Sequence, residues 1–554
     1  MTMAPRPCPD CGAPTAERRS NRPGVARWFP CTRYPACKGA IREFTSAAQG
    51  MWEGSTPARH EAPVMVAAPR FQPSPFQQAI FDFIKTGTGN GVVEAVAGSG
   101  KTTTMVQALG LTSGRVLFTA FNAAIAKELS TRAPGHVTVS TLHALGLRAV
   151  KKAFPDVAVD KDGEKLEVVT LAAFPVKPGS MGDENLNVRK LARRVVALAK
   201  ATLVDPADVA AVGTMMDRYG VDADDSADLV RVSTALRGML DGCAGDTSRI
   251  DFDDMVWLPV RLGLSVEKYD WIFVDETQDM NANQLELIMK ARRDGTRVVC
   301  IGDRFQSIYG FRGADCEAMP NIIKRLGATV LPLSITYRCP VSHVKLAAEL
   351  VPTIQARPGA PEGTISDMVL DKAMGVMTAG DLVLCRTNAP LVGVAFGLIR
   401  AGKKAIIRGR DLGTGLVSLI RKLGKGGDFS EFMGRLAEYR TREMDKLTRT
   451  KKSTVALEDK CETITVLAEG CDTVECMIRK VEAIFSDTDA GVVCSSVHRA
   501  KGFEASRVFI VKPELMPHPS AKRAWARAQE SNIKYVALTR SKSEMGFVSV
   551  PEKG

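Results

Sequence analysis

The sequence predicts an α/β protein with parallel sheets, preceded by a small module held together by metal. Three observations lead there. From about residue 76 onward, short apolar runs alternate with helical patterns, as parallel sheets require. A glycine-rich turn, Ala95-Val-Ala-Gly-Ser-Gly-Lys-Thr102, joins one such run to a helical pattern. Two cysteine pairs stand at the start of the chain, Cys8/Cys11 and Cys31/Cys37.

At 554 residues the chain is too long for one core and is expected to form about three to four domains. A hydrophobic share of 45% and a charged share of 25% exclude fibrous and disordered classes. No apolar run reaches the roughly 18 residues of a membrane span. Residues 1–10 lack an apolar signal region, so a cytoplasmic location and no membrane partner are expected. The net charge of +12 points to a polyanionic partner, nucleic acid foremost.

The first 45 residues are too few for a core of their own, and a metal staple makes physical sense there. Cys8, Cys11, Cys31 and Cys37 have the spacing of four tetrahedral Zn²⁺ ligands. Residues 1–50 carry eight Lys/Arg against three Asp/Glu, interleaved with Trp28, Phe29 and Tyr34. That mixture suits phosphate contact and base stacking on single strands. It suits equally a structural knob whose aromatics form its own small core. The segment resembles the four-cysteine zinc ribbon of type IA topoisomerases. Residues 46–70, rich in Ala, Pro, Ser and Gly, read as a linker. Cysteines inside apolar runs, such as Cys300 and Cys494, read as small buried hydrophobes.

Next comes the phosphate-binding loop. Val92, Val93 and Val96 form a strand pattern before it, and Thr103 to Leu109 a helix after it. Backbone N–H groups from Ala97, Gly98, Ser99, Gly100, Lys101, Thr102 and Thr103 would line a phosphate cradle at a helix N-terminus. Lys101 would reach the β- and γ-phosphates, and the Thr102 hydroxyl Mg²⁺. Val116-Leu-Phe118 is a further strand. Trp271-Ile-Phe-Val274 is another, and it runs into Asp275-Glu-Thr-Gln-Asp279. A carboxylate pair at a strand's C-terminal end sits beside the phosphate loop in such sheets. Asp275 would hold Mg²⁺, and Glu276 would orient and deprotonate the attacking water.

The strand Arg297 to Ile301 leads into Gly302-Asp-Arg-Phe-Gln-Ser-Ile-Tyr-Gly-Phe-Arg-Gly313, where Gln306 can sense a γ-phosphate and Phe311 can stack on a base. Arg338, after Tyr337, and Arg540, in Tyr535-Val-Ala-Leu-Thr-Arg540, are candidate arginine fingers. Between them lies Val497-His-Arg-Ala-Lys-Gly-Phe-Glu504.

In this order, from Gln77 to Ser541, the segments resemble the UvrD/Rep-type helicases of superfamily 1. The resemblance implies two RecA-like motor domains, 71–144 with 243–332 and 333–411 with 488–554. Helical insertions at 145–242 and 412–487 would interrupt them. It implies ATP in the cleft between the domains, with Gln77 reading the adenine edge, Tyr337 packing on the base and Glu504 near the ribose. It implies that Asn122, His143, Phe311, Arg386, Asn388 and His498 face single-stranded DNA. The implied activity is ATP-dependent, 3′–5′ movement on single-stranded DNA and unwinding at single/double-strand junctions, alongside replication or repair proteins. A translocase that displaces proteins, or a nucleotide-switched DNA-binding adaptor, are the rival readings.

Three departures stand out. Phe311 replaces the family's usual Trp, and Ala120 falls where an aromatic is usual, with Phe121 beside it. Both insertions look short. The second reads as wholly helical: Asp428 is its first cap, and Phe429, Phe432, Met433 and Leu436 form a core stripe. Lys446, Arg449, Lys451 and Lys452 would touch duplex DNA or form a solvated face.

Overall fold

The computed structural model describes residues 71–176, 185–221, 226–308, 317–424, 429–449, 454–486, 491–522 and 524–550, with the backbone of three short strands nearer the N-terminus. The chain divides into two units, Met1–Gln72 and Pro73–Gly554. In the first, strands Arg18–Arg19, Val25–Pro30 and Ala40–Phe44 form an antiparallel sheet. The cysteines Cys8, Cys11, Cys31 and Cys37, the linker 46–70, Phe311, Asp428, Lys451 and Lys452 lie outside the described residues.

The larger unit is built on two large parallel sheets, of six and seven strands. The first runs in the order Thr329–Leu333, Gly91–Ala95, Arg292–Gly302, Tyr269–Val274, Val116–Thr119, Val137–Ser140. The apolar strand runs arise because both faces are covered. Val93, Phe118, Phe273 and Ile301 enter one core layer, while Val92, Leu117, Ile272 and Cys300 enter the other. The second sheet runs Thr364–Val369, Ser541–Ser549, Ala505–Val511, Leu382–Cys385, Val492–Ser496, Ala405–Arg408, Phe485–Ser486. Its residues alternate the same way: Val383, Ile407 and Cys494 face one layer, and Leu384, Ile406 and Val493 the other. Cys300 and Cys494 are fully buried, as expected of small hydrophobes.

The first insertion is mainly helical, with Leu186–Thr202 and Ser226–Gly245 as its longest helices, and it has its own apolar core. Helix Leu142–Ala153 and helix Phe252–Arg261 cross at Gly146, where a Cβ would meet the Met255 carbonyl oxygen at 2.0 Å. A buried ionic cluster ties this core. Lys165 and Lys200 each approach Asp254 at 2.7 Å, and Lys200 reaches Asp251 at 3.0 Å.

The second insertion comprises helices Arg410–Leu423, Phe429–Arg449, Val455–Ala468 and Val474–Ile484. Phe432 and Leu436 are buried, with Phe429 and Met433 packed against them. That core is continuous with the second sheet, so this insertion extends the motor domain's packing rather than standing apart. Among the described residues no helix is long and apolar enough to cross a membrane.

Candidate functional site

The phosphate loop emerges from strand Gly91–Ala95, and helix Lys101–Leu109 begins immediately after it, two residues earlier than the sequence pattern places it. Gly98 (φ 71°) and Gly100 (φ 77°) take left-handed backbone that only glycine adopts without strain. Gly100 caps the helix without a side-chain hydrogen bond, leaving the first-turn amides to the loop's concave side. Ser99 is 1% exposed, and its hydroxyl has no hydrogen-bond partner among the described residues. An orphaned buried hydroxyl in a nest of amides fits a bound phosphate oxygen.

The acidic pair sits across from the loop. Strand Tyr269–Val274 ends at Asp275, whose amide donates to the Thr119 carbonyl at 3.2 Å. Glu276 then turns left-handed, with φ 50° and ψ 42°, a costly conformation for a non-glycine residue. Glu276 Oε1 lies 3.5 Å from Lys101 Nζ, and the Gln278 amide also donates to the Glu276 carboxylate. Burial would raise the Glu276 carboxyl, but Lys101 and then Lys501 hold it below its ordinary value, so it stays ionised. Asp275 moves the other way, raised by burial and then by the Glu276 charge. Burial opposes the charge on Lys101, but Glu276, Asp303 and Asp275 outweigh it and raise its pKa. Asp275 and Thr102 supply hard oxygen donors of the kind Mg²⁺ takes.

Elements of the second domain close over this set. Tyr337 is 44% exposed, and its amide donates to the Gly98 carbonyl at 2.8 Å, so a flat ring stands at the loop's edge. Arg338 Nε pairs with Glu504 at 2.5 Å, and its Nη1 donates to the Thr539 carbonyl. Glu504 also pairs with Lys542. Arg540 is 1% exposed and donates to the carbonyls of Val536 and Phe503 and to the Thr539 hydroxyl. Burial, then Arg338, lowers its guanidinium to about 10. Gln306 is buried and donates to Asp303 Oδ2 at 2.7 Å. Gln77 has both amide atoms engaged: Oε1 accepts from the Ser74 amide in a capping box, and Nε2 donates to Thr104 Oγ1.

The residues expected to face DNA separate into two kinds. Asn122 is exposed and caps helix Ala123–Ser130. Beside it Ala120 is buried while Phe121 is 51% exposed, an open ring one residue from the family's usual aromatic. His143 is half-buried, and burial lowers its pKa. By contrast, Arg386 is locked to the buried Glu530 by three hydrogen bonds of 2.6–3.0 Å. Asn388 is held by Asp459, which accepts from its amide and side chain at 2.7 Å each. His498 lies near Arg386; burial first and then that charge push it down to about 4.

The sequence pattern assigns no role to Lys501, Gln278 and Tyr535, which complete the site. Lys501 reaches across to Asp279 at 2.5 Å, joining the two motor domains through a nearly buried ion pair. Gln278 Oε1 accepts from the Asp303 amide at 2.9 Å, linking the acidic turn to the Gln306 turn. Tyr535 donates and accepts between Asp303 and the phosphate loop. All lie inside motifs read from the sequence, but their partners are distant in the chain.

Comparison with known proteins agrees with this geometry. Residues 76–326 match the UvrD/REP helicase N-terminal domain, and residues 429–552 the UvrD-like helicase C-terminal domain. The ATP-dependent DNA helicase PcrA of Bacillus subtilis is 25% identical over 308 residues, covering 50% of this chain and 39% of the relative. The ATP-dependent DNA helicase Rep of Escherichia coli is 26% identical over 305 residues, covering 50% and 43%. The ATP-dependent DNA helicase UvrD2 of Mycobacterium tuberculosis is 24% identical over 548 residues, covering 82% and 76%. The chain thus spans less than half the length of the PcrA and Rep relatives it matches.

Proposed function

We propose that this chain, built from an N-terminal and a C-terminal domain of the UvrD/Rep helicase type, is an ATP-dependent DNA helicase. The observation that carries the reading is the meeting of Lys101, Glu276 and the Arg338 segment around one phosphate loop, with each domain contributing. Lys101 and the loop amides bind the phosphates. Thr102 and Asp275 would hold Mg²⁺, which supplies neutralisation of phosphate charge. Glu276, ionised and fixed by its strained turn, takes a proton from water as the water oxygen bonds to the γ-phosphorus and the bond to the β-γ bridging oxygen breaks. Arg338 and Arg540 stabilise the charge that develops. Arg338 is held by Glu504 in this structure, so the finger role requires it to exchange that partner for phosphate oxygens.

Closure and reopening of the cleft alternate the grip of the two domains on single-stranded DNA. Asn122, His143, Phe311, Arg386, Asn388 and His498 are assigned to that grip, Arg386 and Asn388 by giving up Glu530 and Asp459 for the strand, and Phe121 adds an exposed ring. Movement is 3′ to 5′, a reading that rests on the motif resemblance. In the N-terminal unit Cys8, Cys11, Cys31 and Cys37 would hold one Zn²⁺ as the staple of a ribbon that assists DNA engagement. The protein acts in the cytoplasm at single/double-strand junctions, with replication or repair proteins.

Unwinding of 3′-tailed and 5′-tailed duplexes, measured side by side with ATP turnover, tests this. ATP-dependent unwinding of the 3′-tailed duplex alone is expected. Unwinding of the 5′-tailed duplex alone would reverse the direction. Protein displacement without strand separation would favour the translocase reading, and nucleotide binding without turnover the adaptor.

A further inference from the structure

We infer that Tyr535 is a positioning residue for hydrolysis, its buried hydroxyl holding the phosphate loop and the Gln306 turn in register with the opposite motor domain. The inference rests on the helicase reading and deepens it. Tyr535 lies on helix Ala524–Leu538 of the second domain and is 0% exposed. Its hydroxyl accepts a hydrogen bond from the Ala97 amide at 2.9 Å and is 3.4 Å from Asp303 Oδ2, as a donor. That same Oδ2 accepts from Gln306 Nε2. One phenol therefore connects an amide of the phosphate cradle to the carboxylate that orients Gln306. Burial, and Asp303 next, push the phenol well above its ordinary pKa, so it remains an O–H.

The same helix also reaches the segment on the far side of Gln306. Gln529 Nε2 donates to the Ile308 carbonyl at 3.0 Å, and Asn532 Nδ2 to the Ser307 carbonyl at 2.9 Å. These carbonyls stand three and four residues before Phe311 in the chain. A shift of this helix is thus felt at the phosphate loop and at the segment leading to the base-stacking candidate together. The ring has a separate task. It packs with Val96, Cys339, Val344 and Ala347 and meets Phe305 edge-on at 6.2 Å.

Tyr535→Phe keeps the ring and removes only the hydroxyl. In the full chain, DNA-stimulated kcat for ATP is expected to fall by about tenfold, the scale of one lost hydrogen bond in a positioned site. Single-strand affinity is expected to stay within about twofold, and the melting temperature within a few degrees. Asp303→Asn weakens the same contact from the other side, and the double variant is expected to lose less than the product of the two singles. A stimulated kcat within about twofold of the unaltered chain, or strictly multiplicative losses, would overturn the inference. If the unaltered chain shows no turnover that Lys101→Ala abolishes, the helicase reading itself fails instead.

Discussion

A Cβ on Gly98 would lie 2.6 Å from the Cβ of Arg338 and 2.7 Å from the Thr336 hydroxyl. The phosphate loop and the arginine-finger segment approach this closely because Gly98 carries no side chain. Gly100, two residues on, has the same left-handed backbone, but its nearest neighbour is Gln77 Nε2 at 3.8 Å. The two glycines separate backbone strain from close approach. Gly98→Ala and Gly100→Ala should each cost about 1–2 kcal/mol from left-handed strain. Only Gly98→Ala adds a clash, so thermal melting without nucleotide should be lower for it. Equal melting of the two variants would refute the packing role.

Lys101 and Glu276 should fail differently. Lys101→Ala removes the cation that counters both acids and should lose nucleotide affinity and turnover together. Glu276→Gln keeps the cradle and removes the base, so ATP should still bind while turnover drops by ~10² or more. Equilibrium binding beside steady-state turnover reads both. Near-normal turnover in Glu276→Gln would remove it from the chemistry.

The two arginines differ in burial, and that yields a second contrast. Arg338→Ala and Arg540→Ala should each reduce turnover by ~10² or more with smaller changes in ATP binding. Arg540→Ala should also lower the melting temperature, because it empties a site where the side chain is 1% exposed and removes its hydrogen bonds to the Val536 and Phe503 carbonyls. Arg338→Ala leaves Glu504 paired with Lys542 and should melt near the unaltered chain. Losses of only about twofold would mark Arg338 as a structural ion-pair residue and Arg540 as a structural hydrogen-bond donor.

His498 should impose a pH dependence on stability. Its folded pKa, about 4, lies below the roughly 6.5 of a free imidazole. Between those values the unfolded chain binds more protons, so this group's contribution falls as pH drops through that window. Carboxylates titrate there too, and the comparison with His498→Asn isolates the imidazole. The variant should lose less stability between about pH 6.5 and 4 in denaturant titrations. Parallel curves for the two proteins would contradict the shift.

Much of this fold was legible because its signals are local. Apolar runs such as Trp271–Val274 and Arg297–Ile301 became central strands, since a parallel sheet covered on both faces needs nearly continuous apolar residues. The glycine turn, the acidic pair and the order of the motifs were likewise local, and the stripe through Phe432 and Leu436 was rightly read as core. What only the tertiary structure decided is which distant groups meet. Arg386 and Glu530 are 144 residues apart in sequence, and Ala97 and Tyr535 are 438 apart. No periodicity encodes such pairs, because they follow from how two sheets and their connections close on each other. The left-handed turn at Glu276 was likewise not legible in the residue pattern. A side chain's chemistry is written in its type, but its free donors are whatever the folded neighbours leave unused.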